Sequence, residues 1–138
     1  MLPRFLLVAL SLAAIAGSLL SASANDHRYS GIFVISDITV TDDAAYERYR
    51  KAVRPVIEGC GGTYVVRAGA KFVTDNPSTA LLEAYGGWNP DRIIVLNFDS
   101  VEHANECFDS PEYAAAYALR EGGASGKTLV VSAFRPSD

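Results

Sequence analysis

Arg92-Ile93-Ile94-Val95-Leu96-Asn97-Phe98 is the run that decides the fold. Its centre is β-branched and aliphatic, which reads as a strand. Ile93 and Val95 point to one side of the pleat, Ile94 and Leu96 to the other, so both faces are apolar. Such a strand has to be covered on both sides.

Outward from it, Gly86-Gly87-Trp88-Asn89-Pro90-Asp91 is a turn segment with one large aromatic. On the other side Ser100 can cap a helix whose stripe is Val101, Ala104, Cys107 and Phe108. Ser110-Pro111-Glu112 restarts that helix, with serine at the cap and proline at the first helical position. Tyr113, Ala116, Tyr117 and Arg120 continue at helical spacing, Gly122-Gly123 ends the run, and Thr128 to Phe134 reads as the last strand. Upstream, Tyr29 to Val40 is a strand with Ile32, Val34, Ile38 and Val40 on one face and Phe33 and Ile35 on the other. Thr41-Asp42-Asp43 then offers a cap, and Tyr46, Tyr49, Ala52, Val53, Val56, Ile57 and Cys60 form the apolar stripe of an amphipathic helix. Pro55 is expected to kink or restart it. Thr63 to Val66 is a strand that can continue towards Val73, 74–78 is a loop, and Leu81 to Tyr85 is a short strand or a helical turn.

The order β-α-β-β-α-β predicts an α+β, ferredoxin-like domain: a four-stranded antiparallel sheet with two helices on one face. Three strands are apolar on both faces, more than two helices can shield. A homodimer with sheets face to face is the simplest cover for the remaining patch.

The N-terminus reads as a cleavable leader. Arg4 is followed by 16 mostly apolar residues, Phe5 to Leu20, and then Ser21-Ala22-Ser23-Ala24. The apolar run is short of the roughly 20 residues that span a bilayer. The expected organisation is a signal peptide over 1–24 and one domain over 25–138, exported to the periplasm or secreted, with no membrane association after cleavage. Removing Arg4 leaves 11 basic against 16 acidic residues, a net charge of −5. An acidic surface speaks against nucleic acid or anionic membrane as partner. Cys60 and Cys107, 47 apart, fit neither a zinc site nor a Cys-x-x-Cys redox pair; an oxidising compartment permits a bridge between them, and two buried thiols are the alternative.

The motifs also resemble a known family. Tyr46-x-x-Tyr49, Gly61-Gly62-Thr63-Tyr64-Val65-Val66-Arg67, Gly87-Trp88-Asn89-Pro90-Asp91-Arg92, Phe98-Asp99-Ser100 and Ser110-Pro111-Glu112-Tyr113 with Arg120 together resemble the domain-of-unknown-function 1330 family of the dimeric α/β-barrel superfamily, over roughly residues 30–135. The resemblance implies the fold and the dimer; it implies little chemistry. Asn97 stands where an acidic residue is common in that family, which argues against acid–base work at that position.

The candidate site residues follow from the topology. Arg67 ends the second strand, Arg92 begins the third and Arg120 is late in the second helix, so all three should gather at one rim and suit a small carboxylate. Pairing with Glu83, Asp91 or Glu121, or across the dimer, is the alternative. Tyr49 and Tyr113, with Tyr46 and Tyr64, are expected between helix and sheet, where a phenol can orient or protonate an enolate-like ligand or simply pack. Asp37, in an otherwise apolar strand, needs water, a partner or a ligand. His103 reads as surface. After cleavage, Asn25-Asp26-His27 would be a terminal amine, amide and imidazole set for square-planar Cu(II) or Ni(II). No phosphate loop, nucleophile elbow or His-Glu-x-x-His is present, and no tightly bound cofactor is expected. The two functional readings are a protein that binds or transforms a small organic acid and a non-catalytic binding or structural protein of the cell envelope.

Overall fold

A computed structural model describes residues 29–69 and 83–134. The leader, the Asn25-Asp26-His27 terminus, the continuation of the second strand towards Val73, the 74–78 loop and Leu81-Leu82 lie outside the described residues.

Alternating apolar residues build strands β1 (Ile32–Val40), β2 (Thr63–Ala68), β3 (Arg92–Phe98) and β4 (Ala124–Ser132), and amphipathic runs build helices α1 (Asp43–Gly59), α2 (Val101–Phe108) and α3 (Pro111–Ala118). The four strands form one antiparallel sheet in the order β2-β3-β1-β4. This is the ferredoxin-like α+β fold.

The caps are the ones the sequence offers. The side chains of Asp42, Ser100 and Ser110 accept from the backbone N–H of Ala45, His103 and Tyr113. Ser110 and Pro111 break the expected second helix into two, so the sheet carries three helices rather than two. Pro55 does not break α1, which runs through it without interruption. A mid-helix proline costs about 3 kcal/mol; burial of Tyr46, Tyr49, Val53 and Ile57 on both sides of it holds the helix regardless. Strand β4 begins at Ala124, four residues before the expected Thr128, because β1 extends the pairing from Ile32↔Ser132 as far as Val40↔Ala124. At its other end β4 stops at Ser132, and β1 begins at Ile32 rather than Tyr29. Glu83 to Tyr85 takes neither of the two forms considered for it.

The core lies between helices and sheet. Ile32, Val34, Ile38, Val40, Leu96 and Phe98 meet Tyr46, Tyr49, Val53 and Ile57 of α1 and Ala104, Cys107 and Ala116. Gly62 is buried where a Cβ would lie 2.6 Å from the Phe98 ring, so only glycine lets β2 start so close to the core. Cys60 and Cys107 are joined in a disulfide, Cα–Cα 5.6 Å, which ties the end of α1 to the last turn of α2. Of the two states left open above, the structure has the bridge.

The register assigns the other face of the sheet to Phe33, Ile35, Val66, Ile93, Val95, Leu129 and Val131. None of these is fully buried in the protomer, and Leu129 is 53% exposed.

Candidate functional site: a cationic cavity over the sheet

A cavity of about 280 Å³ opens between the helices and the sheet. Its floor draws on all four strands: Tyr64 and Arg67 of β2, Arg92, Ile94 and Leu96 of β3, Val34, Ser36 and Ile38 of β1, and Gly126 and Thr128 of β4. Helix residues Tyr46, Tyr49, Arg50, Val53, Ile57, Phe108, Tyr113 and Tyr117, with Arg120 from the turn before β4, make the walls. Four arginines and five tyrosines thus face one space. Among the described residues no carboxylate and no imidazole lines it.

Local backbone geometry brings the cations there. Tyr64 and Arg67 are three apart and would point to opposite faces of a regular strand. A register shift between Tyr64 and Val66 puts Tyr64 opposite Leu96 and Arg67 opposite Ile94, both on the covered side. The bulge therefore turns Arg67 into the cavity. Arg92 reaches the same side as the first residue of β3 and is 1% exposed. Arg120, 8% exposed, stacks its guanidinium over the rings of Tyr117 (4.4 Å) and Tyr49 (4.9 Å) and donates from Nη2 to the Tyr117 hydroxyl at 3.2 Å. Arg67 lies 4.9 Å over the Tyr64 ring. The Nε atoms of Arg67 and Arg120 are buried without a hydrogen-bond partner. Of the acids weighed as partners, none among the described residues forms a salt bridge with either.

The electrostatics follow from burial and from this crowd of cations. Burial raises the Tyr46 pKa, and the charges of Arg92, Arg120 and Arg50 oppose the rise. Burial also raises Tyr113 and lifts Tyr49 well above the usual phenol range; Tyr64 is pushed up to about 12. These four phenols therefore keep their protons at neutral pH and act as hydrogen-bond donors. Arg92 is lowered by burial first and by the nearby charges of Arg50 and Arg67, with a Tyr46 hydrogen bond working the other way. Chemically the space offers cations and neutral O–H donors, and among the described residues no general base.

The predicted residues separate cleanly. Arg67, Arg92, Arg120, Tyr49 and Tyr113 converge on the cavity, with Tyr46 and Tyr64. Asp37 does not: it is on the other face of the sheet, where its carboxylate accepts from Trp88 Nε1 at 3.2 Å. Alternation decides this, since Ser36 and Ile38 line the cavity and their neighbour points away. His103 is outside the cavity too, edge-on to Phe98. Arg50 is a lining residue that sequence reasoning missed. It follows Tyr46 by one helical turn on the buried stripe, so an arginine among apolar stripe positions was the available signal. Tyr117 extends the Tyr113 side by the same rule. Asn97 faces away from the cavity and donates from Nδ2 to the carbonyls of Ser30 and Ile32 at 2.7 and 2.8 Å, a bridging role that an ionised carboxylate could not fill.

Fold and cavity together define a ferredoxin-like protein with a small-molecule-sized pocket between sheet and helices. Residues 31–134 match the family described as Domain of unknown function (DUF1330), and the chain belongs to that family. Among solved structures it is similar to a protein of unknown function from Rhodopseudomonas palustris, at 19% identity and TM-score 0.57 over 76% of this chain and 83% of that one. The methylated form of that protein gives 18%, 0.56, 80% and 86%. A dimeric protein of unknown function with a ferredoxin-like fold from Bacteroides fragilis matches at 13% identity and TM-score 0.49, over 73% and 94%. No curated protein matches the chain. Among the described residues no helix is long and apolar enough to cross a membrane, and no group of three or more His, Cys, Asp or Glu is placed to hold a metal ion.

Proposed function

We propose that the mature chain is an exported homodimer that binds a small organic acid in the cavity over its sheet, without a tightly held cofactor. The observation that carries this reading is a pocket lined by four arginines and five tyrosines with no carboxylate among its described lining residues. Arg50 is paired with Glu47 at 3.1 Å, but Arg67 and Arg120 form no salt bridge among the described residues, and guanidinium groups of that kind match a carboxylate in shape and charge. The aliphatic floor of Val34, Ile38, Ile94 and Leu96 suits an apolar body attached to that carboxylate. At about 280 Å³ the cavity lies just below the usual range for ligand sites, about 300–1,000 Å³. Binding is favoured over acid–base turnover, because the donors are abundant and no lining residue described here can take a proton.

Export is supported by the three-part leader and by the Cys60–Cys107 bridge, which suits an oxidising compartment. The dimer is supported by the apolar outer face, from Phe33 and Ile35 through Ile93 and Val95 to Leu129 and Val131. That is a contiguous patch of the kind a second subunit covers.

The test is a thermal-shift and calorimetric screen of small carboxylates, benzoate and hexanoate among them, on the mature protein. Wild type should gain thermal stability with at least one of them, and Arg67→Gln should lose that gain while folding normally. A panel in which no carboxylate binds would overturn the reading.

A further inference from the structure

Resting on that reading, the geometry points to a narrower ligand class: we infer that the acid is a dicarboxylate, with an anionic group at each end of an apolar body. The cavity crosses the whole sheet, since its floor includes residues of both edge strands, β2 and β4. Three inter-strand steps of about 4.8 Å make that width roughly 14 Å.

The cations are not spread evenly across this width. Arg67 enters from edge strand β2, and it and Arg50 both act on Arg92 of the adjacent β3. Arg120 enters from the other side, on the turn that leads into edge strand β4, and its surroundings are the rings of Tyr49 and Tyr117. Tyr46 lines the same cavity, and the charges of Arg92, Arg120 and Arg50 all act on its phenol.

Each pole holds a guanidinium that the described residues satisfy only in part. Arg67 at one and Arg120 at the other have a buried Nε without a hydrogen-bond partner, and neither has a carboxylate partner among the described residues. Aromatic faces attract such a cation but accept few of its hydrogen bonds. A monocarboxylate satisfies one pole and leaves the other as it was. A dicarboxylate satisfies both, and its apolar middle lies over Ile94, Leu96, Val34 and Ile38.

Paired probes separate this from plain anion binding. Calorimetry at constant ionic strength would compare benzoate with terephthalate and hexanoate with adipate on the mature protein, on Arg120→Gln and on Arg67→Gln. Circular dichroism would verify that each variant is folded. The diacid of at least one pair should bind about 10-fold tighter or better. Arg120→Gln should erase that advantage; Arg67→Gln should weaken both acids. Monoacids that bind as tightly as their diacids overturn the inference and leave the organic-acid reading standing. A diacid advantage that survives Arg120→Gln overturns the two-pole assignment. Failure of all four probes removes the organic-acid reading for these bodies and this inference with it.

Discussion

The two faces of the sheet invert the usual expectation. The face that the chain covers with its own helices carries Arg67, Arg92, Tyr64, Ser36 and Thr128 among its aliphatics, and it encloses a polar-walled space. The face left without helices carries the apolar group Phe33, Ile35, Val66, Ile93, Val95, Leu129 and Val131, beside Asp37, Asn97 and Lys127. The chain's own helices thus enclose a cavity, and an apolar area on the other face stays accessible in the protomer. Neighbouring residues of one strand belong to these different tasks: Thr128 lines the cavity, and Leu129 looks outward.

That adjacency gives the most severe way to break the comparison. Leu129→Asp places a carboxylate in the proposed subunit interface, where a buried unpaired charge costs several kcal/mol. Light scattering after size exclusion should show a dimer constant weakened at least ~100-fold, with anion binding retained. Thr128→Asp, one residue away, should leave the dimer intact and abolish carboxylate binding. A Leu129→Asp protein that stays dimeric would remove the outer face from the interface.

A smaller effect is expected from the covalent tie on the inner side. Cys60→Ala with Cys107→Ala opens a loop with a sequence separation of 47. The denaturation midpoint should then report a loss of about 2–4 kcal/mol. Smaller again, and opposite in sign, is Arg120→Met. Exchange of a buried cation for an apolar side chain of similar length is neutral or stabilising, here by up to about 2 kcal/mol in the absence of ligand. A clear loss of stability on that exchange would mean that the ring contacts outweigh the desolvation of Arg120.

A further effect is on pH dependence. Tyr64 ionises near 10.0 when unfolded and at about 12 in the fold. Between those values the folded state keeps a proton that the unfolded state gives up. The Tyr64 contribution is therefore complete below about pH 10 and declines as pH rises towards about 12. Phenolate absorbance followed alongside unfolding should show buried tyrosines titrating late and with the loss of structure.

The legible parts of this fold are the local ones. The runs of β1 and β3, the caps at Asp42, Ser100 and Ser110, and the proline restart at Pro111 depend on neighbouring residues and were readable from them. The four-strand order followed, and with it the gathering of Arg67, Arg92 and Arg120. Features set by distant partners were not readable. Ala124-Ser125-Gly126 looks like loop and becomes strand because β1 is long enough to pair with it. Pro55 reads as a kink or a restart, and packing on both sides carries α1 through it without a restart. Asp37 was weighed as a ligand residue; its strand parity sends it to Trp88 on the far face. The bulge that turns Arg67 inward has no marker in Tyr64-Val65-Val66. The bridge needed the approach of Cys60 and Cys107 in space, which no spacing supplies.

The position of that bridge has a mechanical consequence. It joins α1 to α2 beside Ile57 and Phe108, while Arg92, Arg120 and the first turns of α1 lie towards the opposite end of the helix layer. One end of the chamber is welded, and at the other, among the described residues, the Arg120 guanidinium stacks on the rings of Tyr49 and Tyr117. The welded end is therefore the last to lose its shape on heating.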